Sequence, residues 1–233
     1  MSESFFSRTA LLLGADKVAR LQASHVAVVG LGGVGSAAAE AIARSGVGQM
    51  TLVDGDRVVE SNLNRQLFAL RSTIGLPKTE AAARRIAEIH PQCQLHTLPV
   101  FLNQDSDFSF LDGCQYCLDA IDDVRAKLLL YQHCRDLQIP IISAMGCGNR
   151  LDPTKLVITD VFDVTGCPLC RKIRHELRRI GIDHLTVVAS TEPPIAPVQP
   201  QEPTGQRTIA SAAFVPNAAG LAMASHVVRQ LCS

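Results

Sequence analysis

The stretch that decides the fold is residues 25–45, which read HVAVVGLGGVGSAAAEAIARS. It opens with a β-rich run, His25 to Val29, passes through a glycine-rich turn and ends in an alanine-rich segment, Val34 to Ser45, that is typical of a helix. Small residues between a strand and a helix let the backbone and the helix N-terminus approach a phosphate. The stretch therefore predicts a phosphate-binding turn that contains Gly30, Gly32, Gly33 and Gly35.

A second apolar run, Met50 to Val53, ends at Asp54. In folds that bind dinucleotides, an acid about 20 residues beyond the glycine turn binds the ribose hydroxyls. The alternative is a glycine-rich turn that only packs a helix on a sheet. The strand, the helix and the acid occur together, and this combination favours a nucleotide site.

A polar cluster, SNLNRQ at residues 61–66, distinguishes this chain from a redox enzyme. A triphosphate that reacts needs fixed cations around it, and Arg65 and Lys78 are suitable cations. Asn62, Asn64 and Gln66 add hydrogen bonds to sugar and phosphate. Taken singly, Arg65 reads as a solvated surface residue and Lys78 as a helix-start residue. Together, behind the glycine turn, they favour ATP.

Acidic residues follow a further strand at Asp119-Ala120-Ile121-Asp122-Asp123. In an open parallel sheet, residues at the carboxyl ends of strands face the ligand crevice. Asp122 is a suitable Mg²⁺ ligand, and it suits a helix cap equally well. For Asp123 we favour the cap.

The rest of the chain alternates strand and helix patterns, which predicts an α/β fold: a Rossmann-like, doubly wound, mainly parallel sheet with helices on both faces. We expect an ATP-binding core with an N-terminal helix over residues 1–150 and a smaller C-terminal extension on the same sheet over 151–233. The predicted helices are Lys78–His90, Asp123–Leu137, Cys167–Ile180 and Asn217–Leu231. The predicted strands are Gln94–Val100, Tyr116–Leu118, Pro140–Ala144, Leu156–Val161, His184–Ala189 and Thr208–Val215. Residues 191–207 contain five prolines and cannot form a regular element.

The composition limits the function classes. The 233 residues are 47% hydrophobic and 19% charged, which suits a well-buried core, and the net charge of zero supplies no global field for nucleic acid. No apolar run approaches the roughly 20 residues that span a bilayer, and the N-terminus lacks a signal-peptide pattern. We therefore expect a cytoplasmic protein that does not enter membranes.

A local basic patch is the exception to this neutral charge. In the predicted helix 167–180, Arg171, Arg174 and Arg178 share one face, and Lys172 and Arg179 adjoin it. Such a stripe can follow the phosphates of an RNA. An ordinary solvated helix face is the alternative, and the sequence leaves the two even.

Eight cysteines in a cytoplasmic chain are expected to be thiols and not disulfides. Two Cys-x-x-Cys pairs, Cys114/Cys117 and Cys167/Cys170, form a set of four that could bind zinc. We favour buried thiols, because Cys114 and Cys117 lie in a strand segment whose alternate side chains point to opposite faces. Cys167 and Cys170 open a helix, where a thiol pKa can be lowered, but for this pair too we favour buried thiols that fill the core.

These motifs resemble those of the ThiF/MoeB/HesA superfamily, the adenylating enzymes related to ubiquitin-activating enzyme. Within it, the chain is most similar to the dehydratases that act on threonylcarbamoyladenosine in tRNA. The resemblance covers nearly the whole chain. Its segments are Phe6–Thr9, Val29–Ser36, Leu52–Asp56, Asn62–Gln66, Gly75–Lys78, Leu118–Asp122, Leu151–Thr154, Phe214–Pro216 and Gly220.

The resemblance implies a role for each matching position. The turn glycines would hold the ATP phosphates, Asp54 the ribose, and Asp122 the Mg²⁺, while Arg65 and Lys78 would neutralise phosphate charge. Arg8 would reach the active site of a second subunit, so the resemblance implies a homodimer with shared sites. The remaining ATP-site positions that it implies are Asp56, Asn62, Asn64, Gln66 and Asp119.

The reaction implied is ATP-dependent cyclisation of threonylcarbamoyladenosine in tRNA, through adenylation of the threonyl carboxylate and with release of AMP and pyrophosphate. A sulfur-relay protein is a further partner that the resemblance leaves open. The alternative is an adenylyltransferase that activates the C-terminal Gly-Gly of a ubiquitin-like sulfur carrier. An NAD-dependent oxidoreductase would leave Arg65 and Lys78 without a role, and a nucleotide-sensing or tRNA-binding module would bind ATP without releasing pyrophosphate.

Overall fold

A computed structural model describes residues 5–196 and 209–233. Seven strands form one sheet: β1 (His25–Val29), β2 (Gln49–Val53), β3 (Gln94–Leu98), β4 (Tyr116–Asp119), β5 (Ile141–Ala144), β6 (Leu156–Asp160) and β7 (Thr186–Ser190). The α-helices are α1 (Ser7–Leu13), α2 (Ala15–Gln22), α3 (Gly33–Arg44), α4 (Lys78–Ile89), α5 (Val124–Asp136), α6 (Pro168–Arg179) and α7 (Phe214–Leu231).

The order of the strands across the sheet is β3-β2-β1-β4-β5-β7-β6. All neighbours are parallel except β6 and β7, which are antiparallel. Strand β1 lies between β2 and β4, so the chain moves outward from β1 in both directions and the sheet has a topological switch point there. A ligand crevice is expected at such a point, outside the carboxyl ends of the strands. This architecture confirms the predicted fold class.

The central strands are buried on both faces because helices cover each side, and this explains their continuous apolar sequence. Val26 and Val28 of β1 pack with α3, α4 and α7 in the largest core cluster. Ala27 and Val29, which point the other way, pack with α5 in a second cluster. A third cluster lies under α6, beside β7. Because alternate side chains of β1 point to opposite faces of the sheet, this strand contacts both helical layers.

Helices α3 and α7 pack closely because their contact surface is made of small residues. A Cβ atom on Gly220 would lie 2.2 Å from the carbonyl oxygen of Val34 and 2.9 Å from the Cβ of Ala37. Any larger residue at position 220 would therefore push the helices apart. This contact holds α7 against the helix that begins at the glycine turn.

Most predicted elements are present, with ends that differ by a few residues, but the predicted strand Thr208–Val215 is wrong. Thr208 lies outside the described residues, residues 209–212 form no regular element, and α7 begins at Phe214. Pro216 falls in the first turn of α7, where a missing backbone N–H leaves no helical hydrogen bond unmade. The β-rich composition of this segment concealed the helix start.

The segment after residue 150 contributes β6 and β7 to the same sheet as the first five strands. Part of the proline-rich loop predicted at 191–207 lies outside the described residues, and residues 191–196 are irregular, as expected. Within the two described ranges, no helix combines the length and the apolarity needed to cross a bilayer.

Candidate active site

A cavity of about 560 Å³ opens at the carboxyl ends of the central strands. Its walls come from the segments that follow β1, β2, β4 and β5, together with residues 61–66, Lys78 and the start of α7. This volume lies within the range of about 300–1,000 Å³ that is typical of small-molecule sites. The cavity therefore lies at the topological switch point, where the sheet order predicts a ligand.

The glycine turn forms the floor of this cavity. Gly30 has a φ of +88°, and a Cβ on it would lie 2.6 Å from the carbonyl oxygen of Ala120. A Cβ on Gly35 would lie 1.7 Å from the carbonyl oxygen of Gly30, so α3 approaches the turn as closely as its backbone allows. Gly32 is the N-cap of α3 and has open space where a Cβ would point. The helix N-terminus is consequently exposed to the cavity, and Gly33 lines it as well.

Asp54 stands at the end of β2 and holds the turn in place. Its carboxylate accepts the backbone N–H of Leu31 at 2.6 Å and that of Asp56 at 2.8 Å. Burial raises the pKa of Asp54, while the charge of Lys78 and these two N–H donors oppose the rise. Asp54 also lines the cavity, so its position suits a ribose contact.

Lys78 is a buried cation held between two acids. Its Nζ lies 2.6 Å from Oδ2 of Asp56 and 3.7 Å from Oδ2 of Asp54. Its backbone N–H donates to the carbonyl of Asp56 at 2.9 Å, which fixes the start of α4 beside the cavity. Lys78 and Asp56 both line the cavity, so the lysine is placed where it could meet phosphate oxygens.

Some residues of the polar cluster 61–66 line the cavity, and others lie outside its lining. Asn62 and Gln66 are buried and line the cavity. Arg65 lines it too, and its guanidinium donates to the carbonyl of Ser61 at 2.9 Å and to Oδ1 of Asn64 at 2.8 Å. Asn64 is not a lining residue. Its amide donates to the carbonyl of Ser211 at 2.9 Å and so holds the segment before α7 against the cluster.

The two neighbouring acids that follow β4 have different surroundings. Asp122 lines the cavity, is exposed, and makes no side-chain hydrogen bond or ion pair with another residue of the described ranges. Asp123 is the N-cap of α5 and accepts the backbone N–H of Ala126 at 2.8 Å. The predicted cap at Asp123 is confirmed, and Asp122 is the acid that remains available to a ligand.

Asp119 lies outside the cavity lining, in contrast to its predicted role in binding ATP. It is fully buried, and its Oδ2 accepts from Nζ of Lys127 at 2.7 Å, the hydroxyl of Tyr131 at 2.8 Å and the hydroxyl of Ser143 at 2.5 Å. Burial, and next the charge of Asp119, raise the pKa of Tyr131 well above its ordinary value. The side chain of Asp119 points towards Lys127 and Tyr131 of α5, whereas the Cβ of the next residue, Ala120, lies beside Gly35 of the glycine turn. This alternation explains the correction.

Three cavity features were missed by sequence reasoning. Phe101, 67% exposed, lies over Gly55, where a Cβ would come within 2.5 Å of the ring. The loop Gly146–Gly148 after β5 forms another wall. Arg150, which is buried, donates to the carbonyls of Gly146 and Glu192 behind that loop. The two glycines of that loop were the only sequence sign of a close approach.

Other predicted site residues lie away from the cavity. Arg8 is exposed on α1. Arg171 and Lys172 are exposed on α6. Arg174, however, donates to the carbonyls of Val161 at 2.9 Å and Val164 at 2.6 Å, so its guanidinium is engaged within the fold. This placement argues against the predicted RNA contact at that position.

The guanidinium of Arg178 is also engaged, since its carbon lies 5.3 Å from the centre of the Phe162 ring. Its separation from the ring is within cation–π range. Arg171 and Lys172 thus remain the free cations of the predicted stripe among the described residues.

The cysteine pairs do not come together. Cys114 and Cys117 belong to the core cluster beside α5, while Cys167 and Cys170 belong to the cluster under α6. Within residues 5–196 and 209–233, no group of three or more His, Cys, Asp or Glu side chains could hold a metal ion. All eight cysteines are buried and free.

This chain is similar over nearly its whole length to known proteins. The tRNA threonylcarbamoyladenosine dehydratase of Bacillus subtilis is 42% identical over 238 residues, covering 97% of this chain and 94% of that protein. The crystal structure of the Escherichia coli tRNA N6-threonylcarbamoyladenosine dehydratase TcdA in complex with AMP has a TM-score of 0.89 and 36% identity, covering 97% of this chain and 93% of that one. Its complex with ATP has a TM-score of 0.88 and 35% identity, with the same coverage. The model of the ThiF family matches residues 6–233, and this chain belongs to the ThiF family.

Proposed function

We propose that this chain is an ATP-dependent enzyme that dehydrates threonylcarbamoyladenosine in tRNA to its cyclic form. One observation carries the proposal: a single cavity is lined by the N-terminus of α3, by Asp54, whose carboxylate is placed to bind a ribose, and by the cations of Arg65 and Lys78. The similarity to dehydratases over nearly the full length of both proteins supports the choice of substrate.

In this proposal, ATP enters with its phosphates on the glycine turn. The N–H groups at the start of α3 carry partial positive charge and have no intrahelical partner, so they suit phosphate oxygens. Asp54 binds the ribose, and Asn62 and Gln66 orient sugar and phosphate from the side. Lys78 exchanges part of its contact with Asp56 for the triphosphate, since the Asp56 side chain is half exposed and can turn to water.

The chemistry requires positioning and charge stabilisation more than a nucleophilic side chain. The threonyl carboxylate attacks the α-phosphorus, and the bond to the β-phosphate oxygen breaks to release pyrophosphate. Ring closure on the acyl-adenylate then expels AMP, so the nucleoside loses one water overall. Arg65 and Lys78 stabilise the negative charge that builds on the phosphates in the first step.

Asp122 is the residue proposed to hold Mg²⁺. It is a cavity-lining carboxylate with no side-chain partner in the described part of the chain, and Mg²⁺ typically binds one or two carboxylates together with substrate phosphates. The donor set therefore fits the ion. When bound, Mg²⁺ would supply charge neutralisation on the phosphates.

For the tRNA, the proposal uses the two free cations of α6. Arg171 and Lys172 are exposed, whereas Arg174 is engaged in backbone contacts. We expect Arg171→Ala/Lys172→Ala to raise the KM for tRNA and to reduce its salt dependence, while the KM for ATP stays unchanged. Arg174→Ala, in contrast, should lower the free energy of unfolding, because it removes the hydrogen bonds to the carbonyls of Val161 and Val164. A tRNA substrate also implies a cytoplasmic location, which fractionation of cells would test.

A homodimer with shared sites is also part of the proposal. Helix α1 carries Arg8 together with Leu11 and Leu12, which are 88% and 83% exposed. Exposed leucines next to an arginine fit a helix that docks on a second copy and brings Arg8 to its site. Sedimentation velocity should show a dimer, and Leu11→Asp should yield monomers.

Mixing two inactive variants tests the sharing of sites directly. Arg8→Ala and Lys78→Met each disable a different part of one composite site. If subunits exchange at random, half of the dimers are mixed and each holds one intact site, so activity should return to about a quarter of the wild type. No recovery from a mixture shown to form mixed dimers would refute the role of Arg8.

The first experiment incubates the protein with ATP, Mg²⁺ and tRNA that bears threonylcarbamoyladenosine. The RNA is then digested, and the nucleosides are weighed by mass spectrometry. We expect loss of one water from the modified nucleoside, with AMP and pyrophosphate formed only when that tRNA is present. Rates measured with and without a candidate sulfur-relay protein would show whether such a partner assists.

Three variants sharpen this experiment. Arg65→Ala removes a cation that lies at the surface of the cavity, so the fold should survive, and turnover should fall by about 100-fold or more. Lys78→Met should lower turnover by a similar factor, while Lys17→Met, on the exposed side of α2, should not change the rate. An unchanged nucleoside with intact ATP binding would redirect the proposal to a sulfur carrier with a C-terminal Gly-Gly.

A further inference from the structure

Two cysteines, Cys167 and Cys170, open helix α6 at the wall of the cavity. Cys167 is the N-cap of α6, and Cys170 lies one turn later. Leu169, between them, lines the cavity, as does Gly146. The nucleotide mechanism proposed above gives these thiols no role.

The sulfur of Cys167 accepts a hydrogen bond within the first turn of α6. The backbone N–H of Cys170 donates to it at 3.5 Å. A backbone N–H that donates to a sulfur at a helix N-terminus stabilises a thiolate there.

The pKa values of the two thiols are shifted in opposite directions. The hydrogen bond from the Cys170 thiol, together with the backbone N–H groups and against the effect of burial, lowers the pKa of Cys167 to about 5. The same contact and then burial raise the pKa of Cys170. A thiolate beside a protonated thiol, in a Cys-x-x-Cys segment, is the arrangement found in reactive dithiols.

We propose that Cys167 and Cys170 form a reversible redox modification site, in which Cys167 reacts with a hydroperoxide and Cys170 resolves the product into a disulfide. The Cys167 thiolate attacks one peroxide oxygen, and the O–O bond breaks to give a sulfenic acid and hydroxide. The Cys170 sulfur then attacks the Cys167 sulfur, its proton and the sulfenic hydroxyl leaving as water. Two thiols are oxidised by two electrons while one hydrogen peroxide becomes two waters.

A third thiol, that of Cys147, is a possible competitor of Cys170 for the disulfide with Cys167. Cys147 lies close enough for its pKa to respond to Cys167, but burial raises the pKa of Cys147 to about 11, and its sulfur bonds to the carbonyl of Met145. Cys147 is thus held as a thiol. The disulfide expected is Cys167–Cys170.

Cys93 is a matched control for reactivity. Cys93 and Cys167 are almost equally buried, at 8% and 6% exposure, but burial raises the pKa of Cys93 to about 11. At pH 7 the fraction of thiolate is then about 10⁴ times larger for Cys167 than for Cys93. A thiolate of lower pKa is a weaker nucleophile, and this difference reduces the rate advantage of Cys167 by about 10³. Cys167 should therefore react with iodoacetamide about tenfold faster than Cys93.

The test treats the reduced, full-length protein with hydrogen peroxide, quenches it in acid, alkylates the remaining thiols and analyses the peptides by mass spectrometry. The expected product has lost two thiols, carries a Cys167–Cys170 linkage and returns to the dithiol with dithiothreitol. In Cys170→Ser, Cys167 should stop at a sulfenic acid that dimedone captures. In Cys167→Ser, position 170 should remain a thiol.

Three results would overturn the proposal. They are a linkage to Cys147, equal reaction rates of Cys167 and Cys93, or oxidation of Cys167 beyond the sulfenic acid while Cys170 stays free. The wild-type measurements do not depend on whether the serine variants fold. None of these readouts involves ATP or tRNA, so they are independent of the proposed enzymatic function.

Discussion

Replacing Lys127 by methionine should destabilise the protein more than any exposed charge substitution. Lys127 is fully buried, and all three donors of its ammonium are used: Asp119 at 2.7 Å, the Ser143 hydroxyl at 3.1 Å and the Ala144 carbonyl at 2.9 Å. Methionine matches the shape of the stem and removes the charge. The Asp119 carboxylate would then remain buried with the hydroxyls of Tyr131 and Ser143 and the N–H of Ile121, but with no cation.

The size of the effect follows from that unpaired charge. Removing one partner of a buried ion pair typically costs about 3–5 kcal/mol. In a chain of this length, each kcal/mol lowers the melting temperature by about 2–4 °C, so a fall of roughly 6–20 °C is expected. Urea unfolding followed by circular dichroism gives the free energy, and calorimetry gives the melting temperature.

The control is a salt bridge of similar length on the surface. Arg84 lies 2.5 Å from Glu80, with both side chains largely exposed, so Arg84→Met should cost no more than about 0.5 kcal/mol. Asp119→Asn should resemble Lys127→Met, and the double variant should cost less than the sum of the two because it leaves no net buried charge. Equal costs for Arg84→Met and Lys127→Met, or a fully additive double variant, would refute the reasoning.

Three further predictions concern separate parts of the molecule. Asp123→Ala removes the N-cap that accepts the Ala126 N–H and should lower the free energy of unfolding by about 1 kcal/mol in urea titrations. Burial, and next the charge of His96, lower the pKa of His25, so below about pH 6.5 the unfolded chain binds a proton that the folded chain does not. The free energy of unfolding should therefore fall as the pH drops from 7.5 to 5.5. His25→Gln should reduce the slope of this free energy against pH by up to about 1.4 kcal/mol per pH unit, and an unchanged slope would contradict the assignment. Gly55→Ala should displace the Phe101 ring and weaken ATP binding in calorimetric titrations with little loss of stability, because the ring is mostly exposed.

The parts of the fold that local patterns determine were predictable. The glycine turn, its flanking strand and the helix after it follow one another in sequence, so short-range geometry suffices to recognise them. Asp123 was predictable as a cap because a cap acts on a backbone N–H only three residues away. The alternation of strands and helices likewise gave the parallel sheet.

The parts that depend on contacts between distant segments were not predictable in the same way. Phe101 and Gly55 are 46 positions apart in the chain, and only the pairing of β2 with β3 brings them together. Arg174 looked like a free cation because its carbonyl partners come from a loop whose path the sequence does not reveal. Asp119 and Asp122 look equivalent in the sequence, and only the face on which each lies separates a buried residue from a lining one.

The buried network also links stability to the geometry of the cavity. Asp119 is the last residue of β4, and its carboxylate fixes the N–H of Ile121, one residue before Asp122. Lys127 holds the carbonyl of Ala144 at the end of β5, just before the loop that forms another cavity wall. One buried ion pair therefore ties together the two strand ends from which these lining residues leave the sheet. It follows that loosening the pair should disturb these two cavity walls as well as lower the melting temperature.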